Sequence, residues 1–403
     1  MRLKNEIRTA YFVSVKYFKR NYKLLLFLTL ILSFSFVNIV FFSSINKGLT
    51  STLNSQVISY TTGDIIIEPK EGELLLDNVE YIVNKVLTVP GIIDVSTRYD
   101  QVVSVKKGDK ISGTRLISID PEKEYQVSQI EAALIDGKSI GRYETGAIMM
   151  GVEIANSQGS RTLSRGYGID ANVGDTIEIE FDNAHKKDYV VKGIFDTRFW
   201  ESDFFIIVNH KDIESFLNLR NKGSYIMVKV DDASKVDYYK REILKFGMDV
   251  EVSTWQEKTG FVQKISDSLG LIEVIMFLAG ILIASVTIFI TMRIQIHNRM
   301  KFIGIMRAIG ISRKTIVMAY LLQVLFYCFI GITIGILMTG LIIRYFISHP
   351  LNLPMGLVVP NVTNAGMIVA ASGIIIASLI SVLIPSLAIT KKNIIFTIFR
   401  GEK

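Results

Sequence analysis

Gly137-Lys138-Ser139 invites a phosphate-binding reading, because glycine-rich loops leading into Lys and Ser cradle nucleotide phosphates through backbone N–H groups. That chemistry needs another glycine five residues upstream, and Ala132 stands there, so the triplet reads as a surface turn. Asp120, Glu122 and Glu124 alternate as cation ligands can, but with Pro121 among them they read as a solvated turn. His185 and His210 have no second histidine at ligand spacing. The single cysteine, Cys328, excludes an intrachain disulfide, and there is no C-x-x-C or G-x-S-x-G. No nucleophile comes with a base. The sequence therefore disfavours an enzyme and assigns no catalytic, cofactor-binding or metal residue.

The elements that would position any site are dominated by membrane-length apolar runs. Hydrophobic residues make up 49% of the 403, charged residues 21%, and the mean hydropathy is +0.37, too apolar for a disordered chain or an ordinary soluble domain. Leu24–Phe42 is uncharged, as are Ile316–Ile343 and Gly366–Thr390, and Leu271–Met292 carries only Glu273. At about 1.5 Å per residue each run spans roughly the 30 Å of a bilayer core. The first is too long for a signal-peptide core and lacks a small-residue cleavage site, so it is expected to be an uncleaved anchor.

Charge then gives orientation. Residues 43–268 hold 27 of the 45 basic and 35 of the 38 acidic residues, so the net +7 divides into about −8 in this region and +15 elsewhere. Seven Lys or Arg precede the first run, six lie in Arg293–Lys314 without an acid, and four follow the last run. Positive residues beside spans stay in the cytoplasm. An even number of spans places all three positive segments on that side, and the acidic region on the other. The basic pI thus reports topology and implies no nucleic acid. The expected fold is an α-helical membrane protein with four transmembrane helices, one plus three, and a large mixed α/β extracytoplasmic domain inserted between the first and second. Its parts are an amphipathic N-terminal helix (1–23), spans at 24–42, 269–293, 315–344 and 365–390, the outer domain (43–268), a cytoplasmic helix and loop (294–314), an outer loop (345–364) and a cytoplasmic tail (391–403). The large exported domain without disulfides suits a bacterial cytoplasmic membrane.

Within the outer domain, alternation predicts strands at Gln101–Lys106 and Ile111–Ile119 about a Lys107-Gly108-Asp109 turn, a hairpin of Thr176–Phe181 with Tyr189–Phe195, and a strand at Tyr225–Val230. Helices are expected at Asn78–Leu87, His210–Leu219 and Ala233–Phe246. Gly159–Gly168 reads as a loop or lobe boundary.

The most specific signal lies in the cytoplasmic loop. Phe302, Ile305, Met306 and Ile309 stand at i, i+3, i+4 and i+7, one apolar helix face, with Arg299, Lys301 and Arg307 on other faces. Gly310 is placed to stop this helix in a left-handed conformation, and Ser312 to cap the next one. The helix either lies on acidic headgroups or docks a cytoplasmic partner. Gly331, Gly335 and Gly340 in the third run, and Gly373 in the fourth, offer close helix packing, within the chain or across a dimer seam.

The run Asn298 to Lys314, with Gly304, Arg307-Ala308, Gly310 and Ser312, resembles the FtsX-like permease signature of ABC transporters of the MacB and LolC/LolE type. Lys301-Phe302, where an acidic residue is usual, and Ile311 for a common Ala depart from it. Gly63-Asp64, Val173-Gly174-Asp175, Val191-Lys192-Gly193 followed by Asp203, and Pro385 before the basic tail resemble other parts of such permeases. The resemblance implies a non-catalytic permease subunit. A separate cytoplasmic ABC ATPase, binding ATP and Mg, docks on Arg299, Lys301, Phe302, Gly304, Ile305, Met306, Arg307 and Gly310. A second permease chain completes a homodimer or related heterodimer, membrane lipid surrounds it, and a periplasmic carrier or adaptor serves as a further partner. The function it implies is lipoprotein release or export of lipophilic compounds or peptides; a non-transporting mechanotransmission protein and a sensor or receptor are the alternatives.

Overall fold

A computed structural model describes residues 22–156, 168–214, 217–353 and 356–390. The N-terminal segment up to residue 21, the tail 391–403 and all of the Gly159–Gly168 stretch but its last residue lie outside the described residues. The chain divides into two units, one comprising residues 50–264 with 352–357, the other the remainder.

Four described helices are long and apolar enough to cross a membrane. They run Tyr22–Val57, Gly260–Asn298, Arg313–Ser348 and Asn364–Thr390, one before and three after the α/β domain, as expected. The first two extend well past their uncharged runs, because hydropathy detects only the lipid-length part of a helix. The first is the packing hub: 50% of its most apolar window is buried, against 17 to 33% for the others. Leu28, Leu32, Phe36 and Val40 supply its contribution to the bundle core, which continues through Ala284, Ile288, Tyr320, Val324 and Ile374. The hydroxyl of Ser33 donates to the Gly331 carbonyl at 2.7 Å, a bond available only where a glycine lets backbones approach. Glu273, the lone acid of the second run, accepts from Ser43 (2.6 Å) and Asn46 (3.0 Å) of the first helix, so this membrane-edge charge is fully engaged.

In the unit of residues 50–264 the first helix gives way to a five-residue π-turn, Ile58–Thr62, ended by Gly63 at φ 68°. Its strands are β1 (Ile65–Glu68), β2 (Leu76–Asp77), β3 (Ile92–Lys107), β4 (Lys110–Ile119), β5 (Leu134–Gly137), β6 (Ala147–Gly151), β7 (Thr176–Glu180), β8 (Lys186–Phe195), β9 (Phe205–Asn209), β10 (Lys222–Gly223), β11 (Tyr225–Val230) and β12 (Glu251–Thr254). Ten of them form one sheet in the order β12-β1-β11-β3-β4-β9-β6-β8-β5, with β7 bridging β3 and β8. Among the described strands, the β4–β9 and β6–β8 pairs are parallel and the others antiparallel. The Gly108-Asp109 turn closes β3 on β4, and β7 pairs with β8, both as the alternation predicts. The 16-residue β3 serves two lobes. Its first half joins the core of Ile65, Val83, Val228 and Ile243, and its second half joins the core of Leu116, Ile148, Val191 and Val208.

Strands β6 and β9 show no alternation, for a physical reason. Both are buried on both faces, Ile148, Ile206 and Val208 toward one core and Met149, Phe205 and Ile207 toward the other. A strand covered on two sides reads as a continuous apolar run. The helix expected to reach Leu219 is described only over His210–Glu214, and Ala233–Phe246 resolves into a short 3₁₀ turn followed by a helix over Val236–Leu244.

Candidate functional site

Between the second and third long helices, Met300–Ala308 forms a separate nine-residue helix. Gly310 adopts φ 95°, where a side chain would be strained. The Ile311 amide then reaches the Met306 carbonyl (3.0 Å) and the Gly310 amide the Arg307 carbonyl (3.1 Å), the paired bonds of a Schellman stop. Two residues on, the Ser312 hydroxyl accepts from the Thr315 amide (3.2 Å) and starts the third long helix. The short helix is thus fastened to its neighbour by a turn with little freedom.

Its faces differ from the expected ones. Met300, Ile303 and Met306, with Gly304 beside them, are buried in the bundle core and continue the inward stripe of Met292 and Ile296. Of the four residues expected on one apolar face, only Met306 is buried. Phe302, Ile305 and Ile309 stay 48%, 43% and 76% exposed. Six large apolar side chains in ten residues are more than one face can hold, and tertiary contacts choose the inner set. The outer side therefore combines an apolar ridge with exposed Lys301 and half-buried Arg299 and Arg307. Such a surface can enter an apolar pocket of another molecule while its cations meet acids at the rim.

The four packing glycines part company. A Cβ on Gly331 would stand 2.8 Å from Leu32, and one on Gly335 2.7 Å from Phe36, both in the first helix. Gly373 meets Phe277 at 3.0 Å, while Gly340 faces open space. Gly335→Val is expected to cost about 1–3 kcal/mol through overpacking. Gly340→Ala should leave the isolated chain unchanged. Thermal unfolding in mild detergent separates the two, and equal melting of both variants would refute the assignment.

The α/β domain corrects the solvated-turn reading of Asp120, Glu122 and Glu124. Pro121–Val127 is a helix, with Asp120 accepting from the Glu122 amide at its N-terminus. Glu124 is completely buried and accepts from Ser96 (2.6 Å) and from Arg98 Nη2 (2.5 Å) and Nε (3.2 Å). Arg98 also donates to the Tyr60 carbonyl in the π-turn (2.7 Å) and lies 3.4 Å from the Tyr225 hydroxyl. Burial alone would raise the Glu124 carboxyl; the adjacent guanidinium outweighs it and holds the carboxyl below its usual range. The sequence gives no sign of this pair, because its members lie 26 residues apart.

The remaining chemical candidates are structural. Gly137 ends β5 pressed against the Lys192 carbonyl, and the Lys138 amide bonds that same carbonyl at 3.0 Å, so these groups are occupied by a neighbouring strand. His210 Nδ1 lies 3.0 Å from the Ser118 hydroxyl, and burial lowers its pKa. Asp203 accepts from the Thr197 amide (2.7 Å) and hydroxyl (2.6 Å), fixing a buried loop. Among the described residues no three His, Cys, Asp or Glu are grouped to hold a metal.

Two family models match the chain. The FtsX-like permease C-terminal family matches residues 274–394, and the MacB-like periplasmic core domain matches residues 24–246. Among solved structures, the periplasmic region of MacB from Actinobacillus actinomycetemcomitans is 12% identical, with 51% of this chain and 95% of that one covered at a TM-score of 0.38. The extracellular domain of the noncanonic ABC-type transporter YknZ from Gram-positive bacteria is 14% identical, covering 47% and 98% at 0.35. A domain of a putative permease protein from Porphyromonas gingivalis is 13% identical, covering 48% and 89% at 0.29. No curated protein matches. With a MacB-like periplasmic core domain ahead of an FtsX-like permease region, the chain belongs to the MacB and FtsX family of ABC-transporter permeases.

Proposed function

We propose that this chain is the non-catalytic membrane half of an ABC transporter, driven by a separate cytoplasmic ATPase that binds ATP and Mg and docks on the Met300–Ala308 helix. The observation that carries this reading is the ridge of Phe302, Ile305 and Ile309, exposed although apolar and tied by the Gly310 turn to the third long helix. Both termini and this loop face the cytoplasm, and the α/β domain lies outside a bacterial cytoplasmic membrane. Closure of two ATPases on a pair of permease chains tilts the helices. The second long helix, Gly260–Asn298, continues without a break well beyond its apolar run, so motion at its base travels along a stiff rod. The scarcity of charge within the apolar runs disfavours an ion pathway and supports mechanical transmission instead.

The proposed cargo is a lipoprotein or another lipophilic compound or peptide, with a periplasmic carrier or adaptor receiving it. Purification from native membranes tests the core of the reading, with an ABC ATPase expected to copurify. Its absence would sink the transporter assignment. Depletion of the protein tests the cargo: mature lipoproteins should accumulate in the inner membrane, and unchanged lipoprotein sorting would exclude lipoprotein release.

A further inference from the structure

Two opposite charges meet at the edge of the helix bundle where the first helix leaves its apolar run, and neither is neutralised. Glu273 of the second helix is engaged by neutral donors, the Ser43 hydroxyl (2.6 Å) and the Asn46 amide (3.0 Å). Lys47, one turn beyond Ser43, donates to the Thr363 hydroxyl (2.7 Å), which also accepts from the Gly366 amide (3.2 Å) at the start of the fourth helix. A side chain on Gly366 would stand 3.6 Å from Lys47 Nζ and 3.7 Å from Ser43 Oγ, so the ammonium and the group that engages the carboxylate flank one small space. Among the described residues neither Lys47 nor Glu273 has an ion-pair partner. Asn46 is 7% exposed, and its side-chain oxygen meets no hydrogen-bond donor among the described residues.

The unmet chemistry has two sides. A carboxylate, a hydroxyl and an amide oxygen without a donor form an acceptor set that suits a primary ammonium, which offers three N–H groups and accepts nothing. Lys47, with one of its three donors on Thr363, keeps two that suit a phosphate. The other charges at this end of the bundle are Asp267, nearly two turns beyond Glu273 on the second helix, and Arg344, exposed on the third. With Lys47 and Glu273 they sum to zero, so the edge as a whole attracts neither an anion nor a cation, whereas a zwitterion matches it locally at both ends. Ile272 and Val274, on either side of Glu273, are 44% and 55% exposed, so the polar groups open onto apolar, lipid-facing helix surface. A headgroup that carries its own acyl chains fits that border between polar and apolar.

We propose that this edge binds a phospholipid with a primary-amine zwitterionic headgroup, of the phosphatidylethanolamine class, its ammonium on Glu273 and Asn46 and its phosphate on Lys47. Such a lipid ties the first, second and fourth helices together at one end. The site depends neither on the cargo nor on the ATPase, so it fails or stands apart from the transporter reading. For the test, the full chain purified in mild detergent is given equal amounts of phosphatidylethanolamine, phosphatidylcholine and phosphatidylglycerol with the same acyl chains, and retained lipid is counted by native mass spectrometry. Wild type should prefer phosphatidylethanolamine about tenfold over phosphatidylcholine, whose quaternary ammonium has no N–H to give. Glu273→Gln should abolish that preference, and Asn46→Leu should reduce it. Lys47→Met should lower retention of both lipids while leaving the preference, because the two share a phosphate. Melting temperatures show that each variant is folded. Equal retention of the three lipids by wild type overturns the site, and so does a preference that survives in both folded Glu273→Gln and Asn46→Leu. Glycerophosphoethanolamine, the same headgroup without acyl chains, should not displace the lipid; displacement at equal concentration would assign the site to a soluble zwitterion and overturn the lipid.

Discussion

Glu124→Ala is expected to destabilise the α/β domain by about 3–5 kcal/mol, because it strands the Arg98 charge in the interior. Arg98 is buried to the same degree, and its other partners, the Tyr60 carbonyl and the Tyr225 hydroxyl, carry no negative charge to replace the carboxylate. The double change Arg98→Met with Glu124→Leu removes both charges and should recover most of the loss. Chemical denaturation of the full chain in detergent, followed by proteolysis at each denaturant concentration, reads the effect. A single variant as stable as wild type would show that the pair is not buried as described. The pair also sets an acid limit. The Glu124 carboxyl is held below its unfolded value, so its contribution is complete above the usual carboxylate pKa and disappears as pH falls through the depressed folded value. Acid unfolding of the wild-type domain should steepen there, and the double variant should lack that component.

Ile305→Asp and Phe302→Asp should abolish copurification of the ATPase while leaving membrane insertion intact. Each puts a charge into the proposed interface, and central apolar anchors typically carry about 2–4 kcal/mol, or roughly 30- to 1000-fold in affinity. Met306→Asp is the contrasting change: Met306 points into the bundle and should reduce chain stability instead. Arg307→Glu acts at the rim and should weaken docking less. Gly310→Val forces a β-branched residue into the left-handed region at about 1–2 kcal/mol, loosening the turn. In that variant the expected signature is an ATPase that still binds but is poorly stimulated. Wild-type copurification and stimulation throughout this series would remove the loop helix from the mechanism.

Which parts of this molecule could be read in advance depends on how local their causes are. The four spans and the β3–β4 and β7–β8 hairpins were legible because one-dimensional pattern dictates them: length of apolar run, alternation, a glycine at a turn. The Gly310 stop and the Ser312 cap were legible too, since a few adjacent residues set both. The choice between Met300–Ile303–Met306 and Phe302–Ile305–Ile309 was not, because either stripe is apolar and only the third dimension decides. Glu124 misled for a related reason. An acidic stretch reads as solvated unless the arginine that neutralises it is visible, and Arg98 lies on another element.

The hub position of the first long helix also bears on how the protein is made. Ser33 and its partner Gly331 are separated by 298 residues, so at about 5–20 residues per second the ribosome needs roughly 15–60 s to supply the surface this helix packs against. Until then the Ser33 hydroxyl lacks the Gly331 carbonyl, and Thr29 lies buried on the same inner side. Both hydroxyls have an interim solution within their own helix, Thr29 to the Leu25 carbonyl (2.9 Å) and Ser33 to the Thr29 carbonyl (2.7 Å). The first helix can therefore enter the membrane early with these hydroxyls satisfied, and be packed later by the three long helices that follow it.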